Sequence, residues 1–194
     1  MAGMDHTPEQ PLIVADANGW RDWLVENDAT SDGVWLLLAK KGTVSPTSLT
    51  YAEAVDEALC SGWIDGQKRS FDATTFIERF TPRRARSLWS ERNLGLVADL
   101  TQAGRMRERG QMEIDRAKAD GRWDRAYAGQ ATATVPDDLA AALAQSPAAR
   151  AGFESLKGSE RYSVLHPLMT APNEKVRAQR LAKILAKLGA PDMT

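Results

Sequence analysis

The sequence predicts an α+β protein: an N-terminal α+β domain with a short β-sheet and several helices, followed by a small C-terminal helical module. Three observations lead there. The apolar run Val34–Ala39 and the β-branched, aromatic stretch Thr74–Phe80 have the length and composition of strands. Segments with apolar residues at helical spacing surround both. All six Trp, at positions 20, 23, 35, 63, 89 and 123, lie in the first two thirds, and the Ala-rich remainder has none. The division this implies is residues 12–127 for the α+β domain, 128–135 for a small, polar linker, and 136–190 for the helical module.

Taken in order, Asp16 N-caps a helix over about Ala17 to Asn27, with Trp20, Trp23 and Leu24 on one face. After the turn-like 30–33 stretch, Val34–Ala39 is short enough to be a buried strand. Thr50 and Glu53 form a capping box that opens a helix running to about Ser61, which Gly62 ends. Residues 63–80 read as a hairpin: Trp63-Ile64, a polar bend at Ser70–Ala73, then Thr74–Phe80, broken by Thr81-Pro82. Ser87 is positioned to cap a helix over Leu88 to Gln102, and another follows from Glu108 to Asp120. In the C-terminal module Pro136 suits the first turn of a helix ending near Gln145. The next spans about Pro147 to Lys157. A third starts near Ser159 and is disturbed by Pro167, and Asn173 caps a last helix to Leu188.

Composition narrows the chemistry. A chain of 194 residues, 43% hydrophobic and 26% charged, can bury a core and is not disordered. One Cys excludes an intrachain disulfide, and two His, His6 and His166, are too few for a His/Cys metal centre. No metal and no cofactor are therefore expected. Met1 to Pro11 lacks the basic start and apolar stretch of a signal peptide, and no apolar run approaches a transmembrane segment, so a cytoplasmic location is expected. The net charge of −1 hides an acidic first third, with 3 basic and 11 acidic groups in residues 1–67. A basic middle follows, with 14 basic and 9 acidic groups in residues 68–125.

The stretch 62–90 is the densest in functional chemistry. Guanidinium forks suit phosphates and carboxylates, and aromatic faces suit flat rings. Trp63, Asp65, Lys68, Arg69, Arg79, Arg83, Arg84 and Trp89, together with Lys40 and Lys41, are the candidate binding residues for an anionic or planar small ligand. Asp65, beside Gly66, is the one candidate catalytic acid/base, with Tyr51 as a second proton carrier; a turn aspartate next to glycine is equally expected from turn chemistry. Cys60 reads as a buried helix residue, and His166 as a packed one. Arg177, Arg180, Lys183 and Lys187 form a basic face on the last helix. A solvated face is the simpler reading, since the pI near 6.2 argues against nucleic acid.

Several longer motifs carry a resemblance: Val34-Trp-Leu-Leu-Leu-Ala-Lys-Lys-Gly42, Leu49-Thr-Tyr-Ala-Glu-Ala54, Glu57-Ala-Leu-Cys-Ser-Gly-Trp-Ile-Asp-Gly66, Arg79-Phe-Thr-Pro-Arg-Arg84, Trp89-Ser-Glu-Arg-Asn93 and Ala117-Lys-Ala-Asp-Gly-Arg-Trp123. Over residues 12–190 the chain resembles the bacterial bacteriocin-protection, YdeI/OmpD-associated family. That resemblance implies a role in tolerating bacteriocins or envelope stress, with an outer-membrane porin as a suggested partner. It brings no assigned reaction, so no catalytic residue is carried over.

Three functions fit these residues. The first is a stress or bacteriocin-tolerance protein that binds an anionic or planar small ligand. The second is a nucleic-acid or protein-interaction module using the basic C-terminal helix. The third is a small-molecule enzyme with Asp65 as acid/base.

Overall fold

The computed structural model describes residues 7–190. Asp16 Oδ1 accepts from the backbone N–H groups of Asn18 (2.9 Å) and Gly19 (3.0 Å), which starts helix α1 at Ala17–Asn27. Trp20 and Leu24 of α1 are fully buried. The capping box forms as read: Glu53 N–H donates to Thr50 Oγ1, Thr50 N–H donates to Glu53 Oε2, and helix α2 runs Tyr51–Cys60. Trp20 ties the two helices together by donating from Nε1 to Ala54 O at 3.1 Å.

Three strands, β1 (Val34–Ala39), β2 (Trp63–Ser70) and β3 (Thr75–Pro82), form an antiparallel sheet in the order β1-β3-β2. Val34 pairs with Phe80 and Leu38 with Phe76, so Val34, Leu36, Leu38, Phe76 and Phe80 share one face. Trp35, Leu37 and Ile77 form a buried cluster on the other. The outer edge of β1 is closed as well. Leu12 N–H donates to Trp35 O (2.7 Å), Leu37 N–H to Leu12 O (2.9 Å), and Ala39 N–H to Leu49 O (2.8 Å). A strand covered on both faces and on its edge accounts for a sequence apolar at every position.

The hairpin is longer than the sequence indicates. β2 continues to Ser70 although its second half is polar, because those residues are exposed. β3 continues through Pro82, whose missing N–H costs nothing at a strand end. The turn is held by Asp72 Oδ1, which accepts from Thr74 N–H and Thr75 N–H, each at 2.7 Å. Hydrogen bonds from Thr75 and Thr74 push the Asp72 carboxyl down to about 2.

Helix α3 spans Glu91–Gln102 rather than starting at Leu88. Ser87 is not the cap, because its Oγ accepts from Arg84 N–H and closes a local turn; Ser90 Oγ, accepting from Asn93 N–H at 3.1 Å, starts the helix. Helix α4 follows at Glu108–Ala119. It touches the end of α2 at Gly110, where a Cβ would sit 2.2 Å from Cys60 O, so only glycine permits this approach.

Helices α5 (Asp137–Ala144), α6 (Pro147–Ser155), α7 (Gly158–Met169) and α8 (Glu174–Leu188) complete the chain. They enclose a core of Leu139, Leu143, Ala149, Phe153, Leu165 and Leu168. Pro167 does not break α7, because it sits in the last turn and the helix needs only two more residues. Contacts divide the structure into two units. The first holds residues up to Ser87 with Gly95–Gly121, and the second holds Leu88–Leu94 with the chain from Arg122 onward. Segment 128–135, read as a linker, lies in the second unit, where Thr132 and Ala133 N–H close a turn on Gly129 O. Eight helices and one small three-stranded antiparallel sheet among the described residues make the protein α+β.

Candidate functional site

The strands sort the predicted site residues onto different surfaces. Trp63 is fully buried, edge-on to Trp20 (6.3 Å, 85°) and Trp23 (5.8 Å, 90°), on the sheet face that packs against α1. Arg79 pairs in register with Trp35 and so projects from the opposite face. Arg69 stands on that same face, its guanidinium carbon 4.8 Å from the centre of the Trp35 ring. Lys68, one residue earlier, lies over the Phe76 ring at 4.0 Å. Lys40 is committed to the hairpin turn through Asp72 O (2.6 Å) and Ala73 O (3.2 Å), while Lys41 is exposed. Arg84 is exposed and Arg83 is buried, with Arg83 N–H donating to Gly62 O. Trp89 lies in the second unit, buried against Trp123 with ring centres 5.1 Å apart.

Trp63 and Trp89, the two rings the sequence offers for a flat-ligand site, are both buried, one in each unit. On the other face of the sheet Trp35, Arg79 and Arg69 stand on β1, β3 and β2, with the buried Trp35 ring under the Arg69 guanidinium. Among the described residues neither guanidinium has a carboxylate partner. Arg69 is exposed and Arg79 half-buried, so both donor forks remain open to an anion.

Asp65 and Tyr51 do meet. The Tyr51 hydroxyl donates to Asp65 Oδ2 at 2.7 Å, with both groups half-buried. α2 supplies Tyr51 as its first residue and β2 supplies Asp65 two residues into the strand. The pair can share a proton, and the second carboxylate oxygen remains an acceptor.

Sequence reasoning missed a polar cluster at the end of α2. The buried Glu57 carboxylate receives Arg105 Nη2 and Arg107 Nη1, each at 2.8 Å. Arg107 Nε also donates to Ser61 Oγ at 2.8 Å and its Nη2 to Glu57 O, while its backbone N–H donates to Cys60 O. Arg107 thus satisfies carbonyls that the last turn of α2 leaves open. No local spacing signals this, since Glu57 and Arg107 are 50 residues apart. Cys60, next to the cluster, is buried, and burial pushes its thiol up to about 11, against the opposing pull of Arg107. Its side chain is packed in the core.

In the second unit the basic face of α8 is not simply solvated. Arg177 grips Asp138 with two bonds (Nε–Oδ2 2.7 Å, Nη2–Oδ1 2.8 Å) and donates to Leu168 O; Arg180 donates to Pro167 O. Those carbonyls lie in the last turn of α7, where cations complement the helix dipole. The Arg177 hydrogen bonds hold the Asp138 carboxyl below its ordinary value. Lys183 and Lys187 stay exposed.

His166 packs against Tyr127 (4.9 Å, 82°) and Tyr162 (5.6 Å). Burial, and then the charge of Arg180, lower its pKa below the ordinary 6.5. Above that value folded and unfolded states are both neutral. As pH falls through it the unfolded state takes up the proton first, and stability declines until the folded His166 titrates. Thermal melts from pH 7 to pH 5 should therefore show the C-terminal unit losing Tm, and His166→Gln should flatten that slope. A slope unchanged in the variant would assign it to another group.

Among the described residues no group of three or more His, Cys, Asp or Glu is placed to hold a metal ion, and no helix is long and apolar enough to cross a membrane. His6 lies outside the described residues.

Residues 12–113, just over half of the chain, match a family described as a domain of unknown function, DUF8412. The chain belongs to that family. Residues 132–190 match the family described as bacteriocin-protection, YdeI or OmpD-associated. The resemblance read over residues 12–190 is thereby confined to the C-terminal part, which holds α5 to α8, and the sheet with its arginines belongs to the DUF8412 domain. No curated protein and no solved structure matches the chain.

Proposed function

We propose that the protein is a bacteriocin-protection or stress-linked binding protein whose DUF8412 domain takes a flat, anionic small molecule on the sheet face of Arg69, Trp35 and Arg79. The observation that carries this reading is the pair of arginines without a carboxylate partner among the described residues, both on the sheet face of Trp35, whose buried ring lies under Arg69. Residues directly opposite across an antiparallel pair have Cβ atoms about 5 Å apart, and diagonal neighbours about 7–8 Å, so one small ligand spans both guanidinium groups. The forks bind phosphate or carboxylate oxygens in a bidentate way. The protective role comes from the name of the family matched by residues 132–190.

Calorimetric titration with adenosine monophosphate, adenosine and inorganic phosphate tests this. The planar anion should bind more tightly than either the neutral nucleoside or phosphate alone. Arg69→Ala and Arg79→Ala should each weaken it about ten-fold, the scale of a lost hydrogen bond to a charged group. Equal binding by wild type and the Arg69→Ala/Arg79→Ala double variant, or no binding by wild type, would overturn the reading.

A further inference from the structure

We propose that a cleft among α6, α7 and α8 binds an amphipathic organic ammonium ion, at a site independent of the arginine face. The cleft encloses about 630 Å³, inside the range of roughly 300–1,000 Å³ found for small-molecule sites. Its floor is apolar. Leu156, Val164, Ile184 and Leu188 pack one side against the helical core and turn their remaining surface into the cleft. The shape depends on Gly152, where a Cβ would lie 2.3 Å from Leu188 O; α6 and α8 touch there backbone to backbone, leaving the cleft open beside the contact.

Three of the four polar side chains of the lining, Ser155, Glu160 and Ser163, offer acceptors. Ser155 donates its hydroxyl proton to Gly152 O (2.7 Å) and Ser163 donates to Glu160 O (2.6 Å), so each Oγ has only lone pairs to offer a ligand. The Glu160 carboxylate also lines the cleft and has no hydrogen-bond or ion-pair partner among the described residues. Ser155 ends α6 and Leu188 ends α8, so two helix C-termini border the space, and Glu160 stands in the first turn of α7, at that helix's positive end. Lys187 is the one cation among the described lining residues, and it lies in the last turn of α8, where it complements that helix's own dipole. An alkyl or aryl body on the four apolar side chains, with an ammonium group donating to Glu160 and the serine oxygens, satisfies each of these surfaces. A carboxylate head would meet acceptors.

The test uses the full chain and three probes of equal length: n-octylammonium, n-octanol and octanoate. Calorimetry and amide chemical shifts should show octylammonium binding, with perturbed resonances on α6, α7 and the end of α8. Octanol and octanoate should bind about two- to five-fold more weakly, the scale of an ion pair with an exposed carboxylate. Glu160→Gln, an exposed and conservative change, should bring octylammonium down to the octanol level. Ser163→Trp, which fills the cleft from an exposed position, should remove binding of all three. Octylammonium binding no tighter than octanol, an unaltered affinity in Glu160→Gln, tighter binding of octanoate lost in Lys187→Gln, or no binding by wild type would each overturn the proposal.

Discussion

Trp63→Ala is expected to destabilise the N-terminal unit by about 3–5 kcal/mol, the cost of truncating a fully buried large aromatic side chain. Trp63 is 0% exposed and meets Trp20 and Trp23 edge to face, the geometry in which the positive rim of one ring faces the negative face of another. Trp20 in turn stacks on Trp23 and reaches Phe80 at 5.6 Å, so the loss spreads through the packing of α1 on the sheet. Thermal denaturation should show Tm lowered by roughly 10 °C or more. The Trp63 indole N–H is buried without an acceptor among the described residues. Trp63→Phe keeps a ring in place and removes that desolvated donor, so it should cost well under half as much as Trp63→Ala. An unshifted Tm in Trp63→Ala would mean that the indole serves as a ligand wall and not as core.

What the sequence made legible was local. The Thr50–Glu53 box and the Asn173 cap, which accepts from Val176 N–H, span three residues each, and α2 and α8 begin where those residues place them. Val34–Ala39 matched its strand because every position is apolar. The candidate site was less legible because it depends on strand parity and on contacts distant in sequence. Asp65 pairs with Phe80 but Lys68 pairs with Glu78, so a bulge inserts one residue between them. Without it, simple alternation would place Arg69 on the face of Trp63 and Asp65. With it, Arg69 turns to the face of Arg79 and Trp35, and the aromatic partner of the arginines changes identity. The ion pairs Glu57–Arg107 and Asp138–Arg177 join residues 50 and 39 positions apart. No periodicity records such pairs, so their arginines read only as surface charge.

The second large effect is expected at Arg107, and it should far exceed that of its neighbour Arg105 although both hold the same carboxylate at 2.8 Å. Burial decides between them. The Arg105 side chain is 43% exposed and that of Arg107 22%, against 5% for Glu57. An ion pair with one well-hydrated partner contributes about 0–1 kcal/mol and is screened by salt. Arg105→Ala should therefore shift stability little, and less at high salt. Arg107→Ala removes the main compensation of a buried charge, a change that costs about 3–5 kcal/mol in such pairs. It also removes the Arg107 hydrogen bonds to Ser61 Oγ and Glu57 O at the end of α2. Chemical denaturation of Arg107→Ala, Glu57→Gln and the double variant should show strong coupling, because the double change leaves neither charge stranded. Losses that simply add, or an Arg107→Ala effect no larger than that of Arg105→Ala, would show that solvent reaches Glu57 well enough to replace the guanidinium.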